Sequence, residues 1–167
     1  MNTTKLFFYF SIIVILSILT DGDNSNSQQI PQPSIVGTYK LEARVLPNRQ
    51  VIREPDVMGM LTYTKDYRNF NVFWTNSEGK VYSYSVVSKY ELTPDEYTEN
   101  ILFGVITDQI GGKEIEYVLS GPSKSEQVRI DGNRIIFNLP FDPVSVVFKD
   151  GTIFAYGPDL IDVWEKV

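Results

Sequence analysis

Glu99 is the residue of this chain whose type and setting most invite chemistry. It lies in EYTENILF, residues 96–103. A period-two reading of that stretch puts Tyr97, Glu99, Ile101 and Phe103 on one strand face and Thr98, Asn100, Leu102 and Gly104 on the other. If the first face points inward, a carboxylate enters an apolar interior, where it is costly unless paired or protonated. The same parity groups Arg68, Phe70, Val72 and Trp74 in RNFNVFW, and Tyr82, Tyr84, Val86, Tyr90 and Leu92 in VYSYSVVSKYEL. An interior with aromatic walls, one Glu and one Arg has the make-up of a small-ligand site, mostly apolar with a few polar anchors. Arg68, Trp74, Tyr82, Tyr84 and Glu99 are therefore the candidate ligand-binding residues. The plainer reading stands beside this one: the aromatics fill a core, and Glu99 pairs with Arg68 inside or meets water at the interior's mouth.

Other charged groups have simpler readings. Arg53, Glu54 and Asp56 form a solvated loop cluster. Glu114 and Glu116 alternate with Ile115, Tyr117 and Leu119, which suits an outer strand face better than a calcium or glycosidase pair. GGK at 111–113 lacks the rest of a phosphate-binding loop. Asp142 and Asp150 read as turn residues. No catalytic residue, metal ligand or cofactor is indicated.

The missing residue types narrow the field. The chain has no Cys and no His among its 167 residues. That excludes disulfides, thiolate catalysis, a Ser-His-Asp triad and imidazole metal sites. Acid–base work would fall to Asp, Glu, Lys or Tyr. A net charge of -6 without a basic cluster argues against nucleic acid and anionic membrane surfaces as partners. The length suits one domain with one core.

At the N-terminus, Lys5 precedes an uncharged apolar run from Leu6 to Leu19. Its length fits the apolar region of a signal peptide and is short of the about 20 residues of a spanning helix. Residues 1–22 are expected to be a signal peptide, so that the protein is secreted or extracytoplasmic. The alternative is an uncleaved membrane anchor at residues 6–19, the only expected membrane contact. Residues 23–33, polar and Pro-bearing, read as a flexible lead-in.

The candidate residues must be carried by strands. From Ser34 on, nearly every segment alternates at period two. IVGTYKLEARV places Ile35, Gly37, Tyr39, Leu41, Ala43 and Val45 on one face, with Lys40, Glu42 and Arg44 on the other. KDYR reads as a turn, as do NSEG, IGGK and the DG pairs at 131–132 and 150–151. TPDE at 93–96 fits a helix capping box or a type I turn, and the β-branched, aromatic residues that follow favour the turn. Short links require antiparallel pairing, and so many strands close into a barrel or stack as a sandwich.

Four stretches carry a family resemblance. SIVGTYKL resembles the opening strand of lipocalin-like proteins. MGMLTYTKDYRNFNVFWT and YELTPDEYTENILFG are similar to hairpins of the bacterial lipocalin-like domain families of calycin type, and LIDVWEKV to their closing strand. The likeness covers residues 34–167. Tyr39 stands where those proteins usually carry Trp, and Tyr67 where a turn Gly is commoner. The resemblance implies an all-β fold, a single antiparallel up-and-down barrel of roughly eight to ten strands. It also implies a small hydrophobic molecule as partner.

Three functions follow as expectations. The chain is a non-enzymatic protein binding a small hydrophobic ligand, a ligand-free interaction domain with a filled barrel, or an isomerase- or cyclase-type enzyme using an interior Glu. Nothing in the sequence fixes the oligomeric state.

Overall fold

The computed structural model describes residues 34–167; the expected signal peptide and lead-in lie outside the described residues. Every regular element in that range is a β-strand, and one antiparallel sheet contains all of them. The strands are β1 Gly37–Val45, β2 Val51–Ile52, β3 Val57–Tyr63, β4 Tyr67–Thr75, β5 Val81–Leu92, β6 Glu96–Asp108, β7 Glu116–Leu119, β8 Ser123–Gln127, β9 Arg129–Asp131, β10 Arg134–Asn138, β11 Ser145–Lys149, β12 Thr152–Tyr156 and β13 Ile161–Lys166.

Local chemistry sets the turns. Thr64 Oγ1 accepts from the Tyr67 amide at 3.0 Å, and Thr93 Oγ1 accepts from the Glu96 amide at 3.0 Å. The ambiguous TPDE stretch is therefore a hairpin turn, and a hydroxyl does the capping there without a helix. Tyr67, expected in the turn, instead opens β4. Asp150 and Gly151 both have positive φ, 50° and 83°, the geometry that suits a two-residue hairpin loop.

The sheet order is β7-β6-β5-β4-β3-β1-β13-β12-β11-β10-β9, with β2 beside β1 and β8 sharing the outer edge of β6 with β7. Most neighbours are consecutive in sequence. β1–β3 and β6–β8 step over one short strand each, and β1 against β13 joins the two ends of the domain. The sheet rolls upon itself: Tyr97 on β6 stacks on Phe137 on β10 with ring centroids 4.3 Å apart, although seven strands separate β6 from β10 along the sheet. Among the described residues no ladder joins the β7/β8 edge to β9 or β10. Lys124 Nζ on β8 donates to the Pro140 carbonyl across this seam.

The sequence reading needs two corrections here. The sheet has 13 strands, more than the eight to ten expected. The excess comes from short edge pieces such as β2 and β9, too brief to show a period. Ladder closure is likewise missing, because β8 ends at Gln127 and β9 turns away to pair with β10.

Two β-bulges change which side chains point inward. In β1, Leu41 opposes Trp164 but Ala43 opposes Val163, so Glu42 is the extra residue. Arg44 is thereby turned inward and buried, against the outward placement that strict alternation gives. In β6, Ser88 faces Ile101 and Val87 faces Phe103, leaving Leu102 unpaired. The parity flips, so Phe103 is 53% exposed while Tyr97, Glu99 and Ile101 stay inside as expected.

Aromatic residues fill one end of the interior. Tyr63, Tyr90, Tyr97, Phe137 and Phe148 form a closed circuit of ring contacts, and Tyr39 joins it at Phe148, with centroids 4.3–6.1 Å apart. Nearer the other end, the Trp164 ring lies against Gly59 of β3, where an added Cβ would come within 2.6 Å of it. The Gly59→Ala substitution is expected to lower stability by about 1–3 kcal/mol through overpacking. Gly121→Ala, with no atom nearer than 3.8 Å, is expected to stay within about 0.5 kcal/mol of the parent. Urea unfolding of both variants measures the contrast.

Candidate functional site

Strands β4, β5 and β6 build a buried polar cluster. Their register sets Arg68 opposite Ser88, and Tyr90 opposite Glu99. Arg68 and Glu99 thus meet diagonally across β5 on the inner face. Arg68 Nη1 donates to Glu99 Oε1 at 3.0 Å, Ser88 Oγ donates to the same oxygen, and the Tyr97 hydroxyl donates to Oε2 at 3.1 Å. Glu99 and Arg68 are 2% and 3% exposed, so water contributes little and these contacts carry the desolvated charges.

The phenols around the pair stay neutral. Burial pushes Tyr63 up to about 12, and Tyr97 well above its ordinary value. Burial pulls the Arg68 guanidinium down, but Glu99 together with Tyr63, Tyr97 and Asp142 outweighs it and raises the group. The guanidinium lies over the Phe70 ring, 4.8 Å from its centroid. Arg68 Nε is buried and has no hydrogen-bond partner.

Arg68 is also the floor of a cavity of about 320 Å³. Phe70, Val72, Trp74, Tyr82 and Tyr84 form one wall, and Ala155, Leu160 and Trp164 face them. Both connections that border the space, Leu139–Val144 between β10 and β11 and Gly157–Leu160 between β12 and β13, lend it residues. A second ion pair closes the β1–β13 side. Arg44 grips Asp162 through two hydrogen bonds of 2.7 and 2.8 Å and lies 5.3 Å from the Trp74 ring centroid.

Four of the five candidate residues, Arg68, Trp74, Tyr82 and Tyr84, border this cavity. Glu99 does not. It sits behind Arg68, and its pairing with Arg68 inside is the plainer of the two readings its sequence allowed. Arg68, next to a turn in sequence, is buried all the same.

Other polar residues of the site escaped the sequence reading. Ser88 has the right parity, but a serine between valine and lysine carries no sign of a buried acceptor beside it. Arg44 needed the bulge at Glu42. Asp142 is in a turn, as expected, yet its residue borders the cavity. Burial pushes its carboxyl up, with Arg68 pulling down and Glu99 pushing up. Only for Asp162 was there a usable signal, the alternation of Asp162 and Trp164 in IDVWEK.

No family model, curated protein or solved structure matches this chain. The site therefore has to be interpreted from its own geometry. Among the described residues no three Asp or Glu side chains gather as a metal-binding group, and no helix is long and apolar enough to cross a membrane.

Removing one member of the Arg68–Glu99 pair strands the other. Glu99→Leu and Arg68→Met alone are each expected to cost about 3–5 kcal/mol, and the double variant far less than their sum. A double-mutant cycle by chemical denaturation tests this; additive costs would contradict it. The tyrosines give a second expectation. A phenol whose folded value is raised favours the protonated fold, so its stabilisation is complete below the unfolded value of about 10. It is lost as pH climbs toward the folded value. With Tyr63, Tyr84 and Tyr90 all pushed up to about 12, stability should fall between pH 10 and 12. Tyrosinate absorbance should rise together with unfolding.

Proposed function

We propose that this chain is an exported lipocalin-like binding protein that holds a small hydrophobic ligand inside its rolled sheet without catalysis. The cavity walled by Phe70, Val72, Trp74, Tyr82 and Tyr84 carries the reading. Its volume of about 320 Å³ lies at the lower end of the range for ligand pockets, so the ligand is small. Its apolar walls supply burial, and the charged groups at its margins supply orientation. The rolled antiparallel sheet, with its sequential hairpins, fits a lipocalin-like barrel whose final seam is held by side chains in place of a ladder. Export rests on the Leu6–Leu19 run.

A second reading has an observation of its own. The aromatic cluster of Tyr39, Tyr63, Tyr90, Tyr97, Phe137 and Phe148 fills one end of the interior, and Phe103, Tyr117 and Leu119 are exposed near the β7 edge. Both suit an interaction domain that works through its surface. The enzyme reading gains no support from Glu99, whose carboxylate is fully engaged and stands outside the cavity.

The test uses the neutral fluorophore N-phenyl-1-naphthylamine with the parent chain and Ala155→Phe, which puts a ring into the cavity. Saturable enhancement with the parent, weakened about tenfold or more in a variant that keeps its cooperative unfolding, is the expected outcome; about 1.4 kcal/mol corresponds to that factor. Equal binding by both proteins would place the probe elsewhere, and no binding by either would favour the surface reading.

A further inference from the structure

The charges around the cavity do not balance. Arg44 is matched by Asp162 and Arg68 by Glu99. Asp142, on the Leu139–Val144 connection, borders the same space and has no ion-pair partner among the described residues. Counted with Glu99, which lies behind Arg68 and outside the cavity, two guanidinium groups stand against three carboxylates, a formal charge of -1. Other charges nearby also cancel: Asp108, which acts on Tyr82, is paired with Lys113 at 3.2 Å, and Lys124 and Glu126 together flank the Leu139–Val144 connection.

The surplus charge lies beside aromatic groups. The Asp142 carboxylate acts on the phenols of both Tyr82 and Tyr84 and helps to push them up, after burial, which is the larger cause. Among the aromatic residues of the cavity wall, Phe70 already has the Arg68 guanidinium near its ring and Trp74 has that of Arg44. Neither Tyr82 nor Tyr84 has such a cation among the described residues. A half-buried carboxylate beside aromatic rings that no cation covers attracts an organic cation: the carboxylate supplies charge and hydrogen bonding, the rings supply quadrupole attraction and apolar contact.

Resting on the reading of this cavity as a ligand site, we propose that the ligand is a small aromatic or aliphatic amine. Its protonated nitrogen meets Asp142, and its apolar body lies between the Tyr82–Tyr84 wall and Trp164. An ammonium would bring these five charged groups to neutrality. Burial makes the Asp142 carboxylate costly, and Arg68, which pulls it the other way, is already paired with Glu99, so a cation there relieves a charge without an ion-pair partner. A carboxylate ligand would bring a second uncompensated negative charge into the same space. The unpartnered Nε of Arg68 is the group that would favour such an anion, and it belongs to a guanidinium already neutralised by Glu99.

Three probes that share a phenylethyl body decide between these charges: 2-phenylethylamine, 2-phenylethanol and 3-phenylpropanoate. Each is titrated at pH 7 against N-phenyl-1-naphthylamine bound to the full-length chain. The expected result is that the amine displaces the fluorophore at about tenfold lower concentration than the alcohol, and that the carboxylate is the weakest. In Asp142→Asn the lead of the amine over the alcohol should disappear. Equal displacement by amine and alcohol, a lead for the carboxylate, or an amine preference that survives Asp142→Asn would each overturn the proposal while leaving the cavity a ligand site. Failure of the fluorophore to bind at all would remove the ligand-site reading and the amine with it. If Asp142→Asn does not fold, the ranking of the three probes on the parent protein decides alone.

Discussion

The Arg68–Glu99 pair is the constraint around which the interior is arranged. Two charges removed from water cost several kcal/mol each and persist only where nearly every acceptor lone pair and donor is used. Glu99 meets that demand with Arg68, Ser88 and Tyr97, supplied by three adjacent strands. A one-residue slip of β5 would replace Ser88 with Val87 or Lys89 on the inner face and leave the carboxylate short of a donor. The pair therefore specifies the register of β4, β5 and β6 as well as filling space.

It also marks a division inside the sheet. On one side the aromatic circuit packs solidly, burying Tyr63, Tyr97 and Phe137 almost completely. On the other side the walls stand apart and leave the cavity, with Arg68 as its floor. The filled end supplies the apolar burial that drives folding, so the open end is free to keep an empty volume. A filled core at one end and a cavity at the other stand together in one interior, where the sequence alone presented a filled and an open barrel as rivals.

The parts of this arrangement that obey a period were legible in the sequence. Alternation places Arg68, Phe70, Val72, Trp74, Tyr82, Tyr84 and Glu99 on inner faces, and turn chemistry at Thr93 and Asp150 gives the hairpins. The parts that break a period were not. Bulges at Glu42 and Leu102 follow from how neighbouring strands coil, and the residues that form them are of ordinary type. As a result Arg44 and Phe103 exchange the sides that alternation assigns. Asp142 was hidden for a different reason: a loop residue has no face to read, and its environment is made by strands far away in the chain. The short strands that raise the total to 13 lack the length for any period to register.

The pairing of β1 with β13 has a consequence for how the protein is made. Arg44 and Asp162 are 118 residues apart, and contacts of such separation form late, after the chain entropy of a long loop has been paid. Ribosomes deliver the N-terminus first. Tyr39 and Leu41 emerge early, but β13, the strand that backs them and carries Trp164, is the last of the thirteen to be made. No shorter run of these strands holds a finished core, so the sheet stays open until β13 is available. The order of synthesis thus runs opposite to the order of need: the first long strand waits for the last.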